Sequence, residues 1–92
     1  MPFPTQTGRP FGRASIEALN PNQIGVYGLY RQYQWIYVGK GDIRTRLLAH
    51  INDPGITSYG PTHYVTWVTT NGDVLEKQLI DELQPVANQR RG

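Results

Sequence analysis

The sequence contains no cysteine. That excludes a disulfide framework, a thiolate zinc site and a cysteine nucleophile. Two histidines are too few for a multi-histidine metal cage. Lysine is scarce: Lys40 and Lys77 stand against seven arginines. No apolar run approaches the roughly 18 residues of a membrane span. The opening "MPFPTQTGRPFGR" lacks the continuous apolar core of a secretory signal. These absences lead to the expectation of a cytoplasmic (intracellular) protein with no membrane partner.

What is present is enough for one small folded domain. The chain has 92 residues, of which 38% are hydrophobic and 17% charged. Such a balance is globular rather than disordered. A net charge of +2 permits a nucleic-acid partner without requiring one. Arginine, the dominant cation, carries a planar donor fork that suits phosphate.

Residues 1–23 hold four prolines and two glycines and read as an N-terminal arm, with one short helix in "ASIEAL" capped by Ser15. The segment "IGVYGLY" (24–30) is rich in β formers, "RQYQ" turns the chain, and "WIYVG" (35–39) is a second strand, so the two predict an antiparallel hairpin. Asp42 is a suitable N-cap for a helix over 43–51. A loop is expected over 52–61. "THYVTWVTT" (62–70) is a third strand. Asp73 caps a helix over 74–83 that Pro85 ends, and a tail follows. The expected fold is α+β: a small three-stranded antiparallel sheet flanked by helices, in the order β-β-α-β-α.

Helix faces sharpen the picture. With Val74 at 0° and ~100° per residue, Leu83, Glu76 and Ile80 fall near 180°, 200° and 240°. Glu76 therefore sits inside the core-facing arc, where an unpaired carboxylate costs several kcal/mol. One explanation is a capping box, Asp73-x-x-Glu76. The other is that Glu76 faces a cleft and binds a cation or a substrate group. On the preceding helix, Arg46 and His50 stack at i and i+4 along one border of the apolar stripe. Arg44 falls in that stripe but lies in the first turn, where it can swing out. On the strands, Tyr27 shares a face with Gly25 and Leu29, and Tyr37 with Trp35 and Gly39. Glycine beside each tyrosine leaves room for another group against the backbone. His63, at the start of a strand, reads as structural or surface.

"VGKGD" suggests a phosphate loop but lacks the first glycine and the hydroxyl residue of a P-loop. A dinucleotide fingerprint lacks its third glycine. The turn still places Lys40 near a helix N-terminus, a generic anion site. Lys40 and Arg44 are the residues expected to bind substrate.

Taken in order, Gly25-Val26-Tyr27, Tyr37-Val38-Gly39, Arg46-x-x-x-His50, Glu76-x-x-x-Ile80, Pro85 and Asn88 resemble the GIY-YIG nuclease domain. Each motif tripeptide departs from the eponymous letters by one Ile-to-Val change. The resemblance spans residues 24–88 and implies a nuclease domain over 24–92 that hydrolyses DNA phosphodiester bonds with one divalent metal, Mg²⁺ or Mn²⁺. It implies that Glu76 holds the metal and that one of Tyr27 and Tyr37, more often the first, activates the attacking water. It further implies that Arg46 steadies the scissile phosphate, that His50 orients the site or moves a proton, and that Asn88 supports the site by hydrogen bonding. Cleavage would be non-specific, structure-specific, or directed by a targeting partner protein or a homodimer. A non-catalytic nucleic-acid-binding module of the same fold is the alternative.

Overall fold

The structure, a computed structural model, describes the backbone of residues 3–91 and the side chains of residues 3–89. The expected domain limits at residues 1 and 92 lie outside the described residues.

The sheet is antiparallel and has four strands rather than three. Strand β1 (Arg9–Pro10) pairs with β4 (His63–Val68), which pairs with β2 (Ile24–Arg31), which pairs with β3 (Gln34–Asp42), giving the order β1-β4-β2-β3. The extra strand is two residues long and contains a proline, so no alternation announces it. Pro10 is tolerated because this strand lies at a sheet edge. Strands β2 and β3 form the expected hairpin, turning through Gln32 and Tyr33. Gln32 takes a left-handed backbone (φ 54°) there.

Helices cover both faces. On one, Tyr27, Leu29 and Tyr64 pack with Ile16 of α1 (Arg13–Glu17), with Ile43 and Leu47 of α2 (Ile43–Ile51), and with Ile56 of α3 (Pro54–Thr57). On the other, Val26, Val38 and Val65 pack with Leu79 of α4 (Gly72–Leu83) and with Phe3. A last helix, α5 (Val86–Arg91), sends Ala87 into the first cluster. Helix α2 has the predicted span, with the Asp42 side chain accepting from the Thr45 amide.

Several local expectations change. Helix α1 begins after Gly12, before Ser15. The loop over 52–61 contains α3, a single turn capped by Asp53. The tail is helical. Helix α4 starts at Gly72, and Asn71 holds its cap position without a side-chain bond. The register of β3 jumps between its pairs Leu29–Tyr37 and Tyr30–Trp35, which makes Ile36 an extra, bulged residue. A bulge reverses the alternation that follows it. Tyr37 therefore packs on the Tyr27 side while Trp35 joins the opposite cluster, not the same face as expected.

The N-terminal arm is built into the same body. Phe3 is 2% exposed and stacks on Trp35 with ring centroids 5.5 Å apart. Gln6 adds two hydrogen bonds to the backbone of Thr66. Replacing Phe3 with alanine removes a buried aromatic and leaves a cavity, so it is expected to lower unfolding stability by about 3 kcal/mol. Denaturant unfolding followed by tryptophan fluorescence checks this. Tyr33→Ala, which truncates a fully exposed ring, is expected to leave stability unchanged.

Candidate active site

Two groups of residues meet at one end of the sheet. The first is aromatic and dry. Tyr27 projects from the inner strand β2 and has no exposed surface. Its hydroxyl lies 2.7 Å from His50 Nε2. His50 is itself 6% exposed. The half-buried Tyr37 completes a three-ring cluster, 5.0 Å from His50 in an edge-on arrangement and 6.4 Å from Tyr27. Glycine makes this possible: a Cβ at Gly39 would stand 2.4 Å from the Tyr27 oxygen. The room anticipated at Gly39 is filled by the Tyr27 ring itself, and that at Gly25 by the backbone of Trp67.

The second group is ionic. Lys40 Nζ donates to Asp73 Oδ1 and lies 3.9 Å from Glu76 Oε1. Asp73 thus bonds a lysine and not the helix backbone, so the capping-box account of Glu76 does not hold. Glu76 is half-buried. Burial pushes its carboxyl above the usual range; Lys40 opposes this, Asp73 adds to it, and Arg46 opposes it. The bond to Lys40 holds Asp73 below its usual range, and the bond to Asp73 raises Lys40.

Arg46 links the groups. It is exposed at the start of α2, and a Cβ at Gly41 would stand 3.3 Å from its Cγ. Gly41 has φ +126°, a conformation that favours glycine. The guanidinium acts on Tyr27 as well as on Glu76. Burial drives the Tyr27 phenol well above its ordinary range, Tyr37 adds to that, and Arg46 opposes it. Arg46, Lys40 and Gly41 line an open cleft of about 550 Å³ with Thr69, Thr70 and Asn71 of the β4–α4 connection and Gly72 and Asp73 at the start of α4.

The remaining expected residues fall as follows. Asn88 bonds the backbone of β3. Its side chain accepts from the Val38 amide at 2.8 Å and donates to the Val38 carbonyl at 3.0 Å. It satisfies the open edge of β3 between Tyr37 and Gly39, as a further strand would. Arg44 is half-buried rather than swung out, its Nε shielded from solvent without a hydrogen-bond partner, and like Tyr27, Tyr37, His50 and Glu76 it is not among the residues that line the cleft. His63 stacks on Tyr30, a structural placement. Sequence reasoning missed Asp73 as the partner of Lys40, and Asp53, whose Oδ2 lies 3.8 Å from His50 Nδ1. The i, i+3 spacing of His50 and Asp53 was the available signal.

Among the described residues, no three His, Asp or Glu side chains gather into a metal cage. Mg²⁺ needs no cage: one or two carboxylates with waters and phosphate oxygens suffice. Glu76 fits that requirement as a hard, partly desolvated oxygen donor. Lys40 lies between its carboxylate and that of Asp73, so the spot takes positive charge. No protein-family model, curated protein or solved structure matches the chain.

With its pKa raised by folding, Glu76 is more readily protonated in the native state than in the unfolded chain. Its contribution therefore favours folding at low pH and is lost as pH rises through the raised native value. Without divalent metal, Glu76→Gln is expected to melt above wild type at neutral pH. The gap should close as pH falls below about 4. Thermal melts across pH test this; a variant less stable than wild type at every pH contradicts it.

Proposed function

We propose that this chain is a metal-dependent endonuclease of the GIY-YIG type, acting on DNA phosphodiester bonds. The observation that carries the reading is the pairing of a buried phenol with an imidazole at 2.7 Å, with Arg46, which lines the open cleft, acting by its charge on both Tyr27 and the partly desolvated Glu76. Hydrolysis of a phosphodiester calls for these parts in one place. They are a proton acceptor for water, a cation for the phosphate oxygens and a seat for a metal.

Glu76 would hold the divalent ion, which when bound supplies charge stabilisation to the phosphate oxygens. Arg46 reaches the scissile phosphate from the cleft and, in moving, leaves the Tyr27 oxygen to the attacking water. The Tyr27 phenol is neutral at ordinary pH, so it can accept a proton only by giving up its own. His50 Nε2, at 2.7 Å, takes it. The water oxygen bonds to phosphorus as the bond to the 3′ oxygen breaks. Water's proton passes to Tyr27, the Tyr27 proton passes to His50, and the departing oxygen is protonated from solvent. The products carry a 5′-phosphate and a 3′-hydroxyl. Lys40, tied to Asp73, contributes charge to the cleft.

Supercoiled and branched DNA incubated with Mg²⁺ or Mn²⁺ tests the reading. Wild type is expected to nick it, and Glu76→Ala to lose at least ~100-fold in rate, the scale of a lost transition-state electrostatic contact. Equal nicking by the two proteins removes the catalytic role of Glu76. DNA binding without cleavage by wild type favours a non-catalytic binding module.

A further inference from the structure

Histidine 50 has two ring nitrogens, and they face different partners. Nε2 lies against the Tyr27 hydroxyl at 2.7 Å. Nδ1 faces Asp53 Oδ2 at 3.8 Å, with both side chains largely withdrawn from solvent. The chain is folded to hold Asp53 there. Its amide donates to the His50 carbonyl at 3.2 Å, and its other oxygen, Oδ1, caps α3 by accepting from the Gly55 amide at 2.9 Å. The two carboxylate oxygens thus serve different ends: one starts a helix and one faces the imidazole.

A neutral imidazole carries one N–H and one bare nitrogen. If Nε2 carried the proton, it would donate to Tyr27 and could accept nothing from it. If Nδ1 carries the proton, Nε2 is bare and the phenol donates to it. A carboxylate on the Nδ1 side favours the second form by its charge. At 3.8 Å the effect is one of field rather than of a direct hydrogen bond. The same charge favours the imidazolium that forms if His50 receives the phenol's proton. Tyr37, edge-on at 5.0 Å, is the other titratable ring beside His50.

We propose that Asp53 is a positioning residue that sets the tautomer of His50, so that the Tyr27–His50 hydrogen bond points from phenol to imidazole. Its catalytic meaning rests on the nuclease reading above. The tautomer itself does not.

Nitrogen-15 NMR of the His50 ring tests the proposal with no substrate present. Wild type is expected to show a pyrrole-like Nδ1 and a pyridine-like Nε2. In Asp53→Asn the amide oxygen can still cap α3, while the amide NH₂ faces Nδ1 as a donor; the two shifts are expected to exchange. Asp53→Ser keeps a capping oxygen but cannot reach the ring, and is expected to show a mixture. This second variant answers the question should the first fail to fold. On DNA, Asp53→Asn is expected to lower kcat on the order of tenfold or more with KM little changed. A wild-type ring protonated on Nε2, or an unchanged ring in both variants, overturns the proposal. Exchanged shifts with full cleavage overturn the catalytic role. A wild type that cuts no DNA removes the nuclease reading and the catalytic role with it, whatever the ring shows.

Discussion

The hydrogen bond between Tyr27 and His50 is the contact around which this fold is arranged. It joins the inner strand β2 to α2 where both partners are buried. A buried hydroxyl and a buried imidazole each cost free energy unless they are paired, and here each satisfies the other. The bond also constrains its surroundings. Gly39 must lack a side chain, because any Cβ would fall on the phenol. Helix α2 must lie close, and Ile43 and Leu47 hold it to the core. Strand β3 must keep its line at an open edge, and Asn88 secures its backbone there.

Around this dry pair the charges are divided by the sheet. Lys40 reaches from β3 to Asp73 and Glu76 on α4, while the phenols and the imidazole share the other side with α2. Arg46 stands at the end of the sheet, where it influences both. A phosphodiester entering the cleft at Arg46 would bring the two sides into one reaction. Burial favours the neutral phenol of Tyr27, so on the proposed nuclease mechanism it could serve as a base only with His50 as the outlet for its own proton.

Much of the frame was legible in the residues. The hairpin was readable from β-branched and aromatic runs, and α2 from its Asp42 cap. The odd position of Glu76 on an apolar arc pointed to the ionic cluster. What stayed hidden has physical reasons. Strand β1 is too short for alternation to register, and α3 and α5 are too short for helical periodicity. The Pro- and Gly-rich arm masked one buried aromatic, Phe3, that long-range packing selects. The bulge at Ile36 has no local signature, yet it decides the face of Trp35. Asp73 reads as a helix cap until Lys40, 33 residues away, claims its carboxylate. Tyr27, Tyr37 and His50 come together with Arg46 acting on Tyr27, Arg44 is half-buried, and Asn88 bonds the backbone of Val38.

On the proposed mechanism the Tyr27–His50 pair accepts the proton of the attacking water. Comparison of wild type with Tyr27→Phe in the cleavage of supercoiled DNA with Mg²⁺ tests it most directly, with circular dichroism to verify the fold. The phenylalanine ring fits the space over Gly39 and removes only the hydroxyl. The account predicts a folded variant that binds DNA and cuts it at least ~100-fold more slowly. A folded variant that cuts as fast as wild type contradicts it.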